Sequence, residues 1–151
     1  MILMTYRPAV PADIPACLEI KGRVLEKTFS EAAFQELAVA TETWRRRVRD
    51  DSFPGVVACS GGEVIGYCFG EKMTGEIVVL SLLPEFEGLG VGRTLLRMVA
   101  DAFRDRGFGK LFCGCPTDRT TRAWGFFRYL GWTPTGKRNA AGRDIMEFPL
   151  R

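Results

Sequence analysis

The 151 residues predict a mixed α/β domain, a sheet with helices on both of its faces. Three observations lead there. Apolar residues recur at helical spacing from Ile14 to Val48, then switch to the short alternating runs of strands after Gly55. The run EIVVLSLL (76–83) is almost wholly apolar and leads into a strong helical stripe that starts at Val91. The resulting order, β-αα-βββ-α-β-α-ββ, indicates a mixed sheet rather than a bundle or a sandwich. The length suits a single domain over residues 1–151, large enough to bury a core without staples.

Each element has a local reason. TYRPA (5–9) reads as a first strand. Asp13 can cap a helix whose stripe is Ile14, Cys17, Leu18 and Leu25. Ser30 opens a second helix with Phe34, Leu37, Ala38, Thr41 and Val48 on one face, and Arg45-Arg46-Arg47 reads as its solvated side, with an anion site as the alternative. GVVACS, a Gly61-Gly62 turn and EVIGYCFG form a hairpin. EIVVLSLL follows as a central strand covered on both faces, ended by Pro84. The third helix carries apolar residues at 91, 95, 98, 99, 102 and 103 and stops at Gly107. KLFCGC (110–115) is a strand, TTRAWGFFRYL (120–130) a helix, and WTPTGKR with RDIMEFPL a terminal hairpin.

Composition narrows the function classes. No apolar run approaches the roughly 20 residues of a membrane span, and MILMTYRPAV lacks the pattern of a signal peptide. Five cysteines, Cys17, Cys59, Cys68, Cys113 and Cys115, fall mostly inside predicted elements, which points to reduced, buried thiols and a cytoplasmic location. The chain has no histidine, so the Cys113-x-Cys115 pair lacks the commonest partners of a zinc site, and no metal is expected. The net charge of +3 sits in residues 76–151. That bias suits a phosphorylated small molecule and is weak for nucleic acid.

The segment PEFEGLGVGRTLL (84–96) carries the chemistry. Gly88, Gly90 and Gly92 allow a tight turn, and no Cβ obstructs a close ligand. Amides of residues 88–93 lie ahead of the third helix, where its unpaired donors and its dipole favour an anion. The alternative is a glycine-rich helix entry that packs closely and binds nothing. A P-loop would need glycine at 87 and lysine at 93, where the chain has Glu87 and Arg93. A dinucleotide fingerprint opened at Gly90 would meet Leu95 where it needs a small residue.

LSLLPEFEGLGVGRTLL instead resembles the acetyl-CoA signature of the GCN5-related N-acetyltransferases: an apolar strand, a proline, then Arg/Gln-x-x-Gly-x-Gly/Ala opening a helix. AWGFFRYLGW (123–132) resembles the later helix of that family. The resemblance implies a mostly antiparallel sheet splayed at strands 4 and 5. It implies a pantetheine arm along Leu80 to Leu82, where one strand amide polarises the thioester carbonyl. The diphosphate would fall on the amides of Gly88, Leu89, Gly90, Val91, Gly92 and Arg93, with Thr94 and Phe127 completing the cofactor contacts. Arg119 and Arg122 stand either near the adenosine phosphate or in solvent.

By the same resemblance the reaction is acetyl transfer from acetyl-CoA to a primary amine of a small molecule or peptide, by direct attack in a ternary complex. Only about one lysine-like amine in a few thousand is neutral at pH 7, so a positioned base helps. Glu76, fourteen residues before Gly90, stands at the spacing of the general base in the histone-acetylating branch. Burial would raise its pKa; the other reading is a hairpin-end glutamate facing water. Cys115, at a position where some relatives carry a glutamate, reads as a packed residue.

Three positions depart from the signature. Glu87 replaces its Arg or Gln, which implies weaker cofactor binding. Phe127 replaces the tyrosine that protonates the leaving thiolate, and Tyr129 lies roughly 200° around the helix from it, so the general acid is unassigned. Thr120 replaces an asparagine. The acceptor is expected between residues 24–40 and 136–144, with Glu26, Glu31 and Asp144 attracting a cation and Phe29, Phe34 and Trp44 enclosing an apolar part. A catalytically inactive acyl-CoA-binding module is the alternative, and a nucleic-acid-associated protein a weaker one. Exposed sheet edges would allow pairing into a homodimer.

Overall fold

Alternating apolar residues and glycine turns build a seven-stranded sheet in the order β1-β2-β3-β4-β5-β7-β6. In chain order the elements are β1 (Met4–Pro8), α1 (Ile14–Leu25), α2 (Glu31–Arg49), β2 (Gly55–Ser60), β3 (Glu63–Glu71), β4 (Glu76–Leu82), α3 (Val91–Asp105), β5 (Lys110–Cys115), α4 (Arg122–Tyr129), β6 (Thr133–Arg138) and β7 (Asp144–Pro149). This computed structural model describes residues 3–25 and 31–150, and of residues 22–25 and 31–39 the backbone alone. Ser30, Glu26 and Phe29, and the side chains of Glu31 and Phe34, lie outside what is described.

Every neighbouring pair is antiparallel except β4 and β5, which run parallel through the α3 crossover. Gly61 and Gly62, both with positive φ, close the β2–β3 hairpin in the conformation its twist prefers. The β4–β5 ladder is short. It joins Glu76 with Phe112 and Ile77 with Cys113, and then the strands part.

The two faces of the sheet are covered separately. On one, α3 buries Val91, Leu95, Leu96, Val99 and Phe103 against Ala58, Ile65 and Leu111, and Phe127 of α4 joins them with Trp132. Each such side chain stabilises the fold by about 1.5–3 kcal/mol through burial. On the other face, Ile14, Cys17, Leu18 and Ile20 of α1 meet Val57, Tyr67 and Phe69. Phe53 stacks on Phe69 there, ring centroids 4.8 Å apart. Gly70 lets α3 approach β3, since a Cβ on it would fall 2.6 Å from Cζ of Phe103. Among the described residues no helix is long and apolar enough to cross a membrane.

Three local expectations are corrected. β4 is not covered on both faces: Val78 is 46% exposed, and Leu80, Ser81 and Leu82 are half-buried, because β5 turns away from them. Asp13 does not cap α1 from outside; it ends a 3-10 turn, Pro11–Asp13, that runs into the helix. Its buried carboxylate accepts from Val10 N–H (2.9 Å) and from Nη1 and Nη2 of the Arg7 guanidinium (2.7 and 2.8 Å). The arginine run is not wholly solvated either. Arg46 is exposed and Arg45 pairs with Glu42, but Arg47 pairs with Glu71 and lies 4.4 Å over the Phe53 ring.

Candidate functional site

Where β4 and β5 part, the sheet opens into a groove of about 980 Å³, bounded by β4, the turn before α3, the end of β5 and α4. Its β4 wall includes Val78, Leu80 and Leu82. Leu80 and Leu82 keep their antiparallel partners Cys68 and Gly66 on β3, Val78 falls where the register shifts between Phe69 and Gly70, and the side towards β5 is unpaired beyond Ile77. An unpaired strand edge accepts an extended group by main-chain hydrogen bonding, as a peptide adds to a sheet.

The turn at the mouth is built from glycine for two different reasons. Gly88 and Gly90 have φ of +79° and +81°, a region that strains any residue with a Cβ. Gly92 is helical, and a Cβ on it would meet Phe126 at an ordinary 3.6 Å. The protein's own packing therefore tolerates a side chain at 92, and the bare backbone matters towards the groove. Gly90 is the N-cap of α3 and supplies no side-chain cap. The first bond of the helix closes from Thr94 N–H to Gly90 C=O (3.1 Å), so the amides ahead of it lack intrahelical partners. By contrast, α4 is capped by its own Thr121, whose hydroxyl accepts from Trp124 N–H (3.3 Å). An anion therefore finds open donors at α3.

Of the residues the sequence nominates, Leu80, Leu82, Gly88, Gly90, Val91, Gly92, Arg93 and Phe127 line this groove. Leu89, 55% exposed, and Thr94 do not line it. The Thr94 hydroxyl donates to Gly90 C=O (3.0 Å) and braces the turn. Glu87 is not a lone carboxylate against an anion site, because Arg122 of α4 pairs with it across the mouth. Arg128 stacks over Trp124 at 4.0 Å and donates to the carbonyl of Trp124 at 3.1 Å. Phe127 is buried between Phe126 and Trp132, and Tyr129, 82% exposed, borders the groove.

All five cysteines are buried and unbridged. Burial pushes the Cys17 and Cys113 thiols up to about 12. It also raises Cys115, against a hydrogen bond from Arg128 that favours the thiolate. At neutral pH these three are thiols, poor nucleophiles, and Cys115 is the packed residue the sequence suggests. Among the described residues no group of three or more His, Cys, Asp or Glu side chains is placed to hold a metal ion.

A second cavity, of about 640 Å³, adjoins the groove. Glu76, Phe112, Thr135, Lys137, Asn139 and Glu147 border it, and Cys113 and Gly114 line both spaces. Glu76 is exposed, as the reading of a hairpin-end glutamate facing water has it, and lacks the burial that goes with the general-base reading: β5 meets β4 only there, and the cavity keeps the strand end open. Glu147 lies 3.5 Å from Lys110, whereas Glu76 has no ion pair among the described residues. Two nominated acceptor residues are placed elsewhere. Trp44 packs in the α1–α2 core against Phe53 at 5.2 Å, and Asp144 is held by Arg138 at 3.4 Å and Arg128 at 3.9 Å. Thr135, Asn139 and Glu147 were not singled out by sequence. They sit on adjoining strands and a turn, and no local pattern marks which side chains face β5.

Comparison with known proteins places this architecture. No curated protein sequence matches the chain. Among solved structures, a GNAT-family protein from Desulfovibrio desulfuricans superposes with a TM-score of 0.79 at 19% identity, covering 99% of this chain and all of that one. PaiA N-acetyltransferase from Thermoplasma acidophilum, in complex with coenzyme A, gives 0.77 at 15% identity over 97% and 99% of the two chains. YncA from Salmonella typhimurium, with acetyl-CoA, gives 0.72 at 22% identity over 99% and 95%. At these identities the likenesses show the fold. Residues 15–132 match the Acetyltransferase (GNAT) family, and since that match spans well over half of the chain, this protein belongs to the GNAT acetyltransferases.

Proposed function

We propose that the protein transfers an acetyl group from acetyl-CoA to a primary amine of a small molecule or peptide, by direct attack. The observation that carries this reading is the groove where β4 leaves β5 beside the uncapped amides of α3. An extended arm fits the free edge of β4 and a diphosphate fits the amides of residues 88–93, the two halves of one long ligand. Coenzyme A in PaiA and acetyl-CoA in YncA, proteins of the same fold, support it.

Acetyl-CoA supplies an activated acyl carbon. The chain's own groups do the rest. The unpaired edge at Leu80 to Leu82 orients the arm and offers an N–H to the carbonyl oxygen, a contribution of a few kcal/mol where the donor is already in place. The second cavity admits the amine beside Glu76. The amine nitrogen bonds to the acyl carbon, the carbon–sulfur bond breaks, and the thiolate leaves. Glu76 takes the proton the nitrogen loses, and water protonates the sulfur, because Phe127 offers no hydroxyl.

The test is thiol release from acetyl-CoA with a panel of amines. Turnover with at least one amine is expected, and Glu76→Gln should lower the rate on the acidic side of the profile most. An unchanged pH–rate profile in that variant would remove Glu76 from the mechanism. Binding of acetyl-CoA with no turnover by any amine would leave a binding module instead of an enzyme.

A further inference from the structure

The groove and the second cavity meet at Gly114, and the roof over that glycine comes from the β6–β7 turn. A Cβ on Gly114 would fall 2.8 Å from Nδ2 of Asn139 and 3.6 Å from Cδ of Arg143. Asn139 lines the second cavity and Arg143 the groove. The Asn139 side chain is pinned. Its Oδ1 accepts from Ala141 N–H and Arg143 N–H, each at 3.0 Å, while its own backbone exchanges bonds with Arg143 and Gly142. Two N–H donors on one end of the amide settle which end is oxygen, and so Nδ2 must face Gly114. Among the described residues Nδ2 has no hydrogen-bond partner. Asn139 is half-buried, and Tyr67 OH is the only buried unpartnered side-chain atom among the described residues. Nδ2 is therefore a fixed donor open to solvent at the junction of the two cavities, where a ligand oxygen can replace water.

Charge in the second cavity points the same way. Glu76 and Lys137 both border it and neither has an ion pair among the described residues. Glu147 is already satisfied by Lys110. An ammonium suits Glu76, and an oxygen-bearing group suits Asn139 and Lys137. A plain polyamine would leave Nδ2 unpaired and set a second cation near Lys137. Proton availability agrees. An α-amine of pKa about 8 is neutral in about one molecule in ten at pH 7, against about one in a few thousand for a lysine-like amine. It asks less of an exposed carboxylate.

We infer that Asn139 is a specificity-determining residue, selecting amines of the amino-acid kind, in which a carbonyl carbon lies two bonds from the nitrogen and presents its oxygen to Nδ2. This rests on the acetyl-transfer reading above. The decisive variant is Asn139→Asp, which keeps an oxygen for the two turn N–H groups and puts a second oxygen where Nδ2 was. The experiment compares kcat/KM for glycinamide with that for propylamine, in native protein and variant, so that the difference in amine pKa cancels. Asn139→Asp should cut the glycinamide-to-propylamine ratio about tenfold, mainly through the KM for glycinamide, with the acetyl-CoA Kd unchanged. Gly114→Ala, whose methyl group displaces Nδ2, should shift the ratio in the same direction and covers the case in which the aspartate disturbs the turn. Thiol release at an unchanged ratio in both variants overturns this inference alone. An equal loss for both amines does so too, since it would mean Nδ2 serves the thioester. No thiol release with any amine overturns the transfer reading and this inference with it.

Discussion

Asp13 and Glu87 show how far one side chain's role depends on a partner distant in sequence or across a turn. At Asp13, burial opposes the charge, but hydrogen bonds from Arg7 and Val10 outweigh it and hold the carboxyl below its ordinary 3.8. A depressed folded-state value means the interaction stabilises above the unfolded value and is lost as pH falls through the folded one. Asp13→Asn should therefore cost about 1–3 kcal/mol at pH 7, measured by urea unfolding, and the gap to native protein should shrink below about pH 4. A gap that stays constant to pH 2 would contradict the assignment. Glu87 stands where the signature has Arg or Gln, the reason weaker cofactor binding is expected, and it pairs with Arg122 at the exposed mouth of the groove. Glu87→Gln should release Arg122 towards phosphate and tighten acetyl-CoA, by up to about fivefold at low salt, an effect that 0.5 M salt should erase. Calorimetric titration at the two salt concentrations checks it.

The helix α3 separates two demands at the level of an element. Its buried stripe belongs to the fold, and its first turn faces the groove. Gly92→Glu exploits that division. A carboxylate in the first turn of a helix is favourable by roughly 0.3–1 kcal/mol, and a Cβ at 92 meets only ordinary contact. The ligand-free variant should melt at or slightly above the native temperature, yet lose its response to acetyl-CoA, because the new charge stands where we propose that the diphosphate binds. A variant that melts lower and still responds would contradict both the packing and the anion site. Gly90 is a different case, since its φ of +81° makes it a requirement of the turn itself.

For the molecule as a whole, the short β4–β5 ladder is the weak seam of the sheet, with β1 to β4 on one side and β5 to β7 on the other. A ligand lying along β4 and touching α4 bridges that seam. Acetyl-CoA at a hundred times its Kd should raise stability by about 2.7 kcal/mol. Hydrogen exchange should slow at the amides of Val78 to Leu82 and of Gly114 and Cys115, more than in the β2–β3 hairpin. Uniform protection across the sheet would show that the ligand binds elsewhere.

Order and type of the elements were legible because period, turn glycines and helix stripes are local: the Gly61-Gly62 hairpin, the α3 stripe and the glycine mouth of the groove could all be read along the chain. The apolar run of β4 misled, because an apolar strand looks the same whether a neighbour or a ligand covers it. The pairing of Glu87 with Arg122, the exposure of Glu76 and the roofing of Gly114 by Asn139 were set only in three dimensions. Local torsion and hydrophobic spacing write an element into its own segment. Which side chains face one another across a gap depends instead on where β5 leaves β4, and residues 35 or 25 positions apart carry no mark of that meeting.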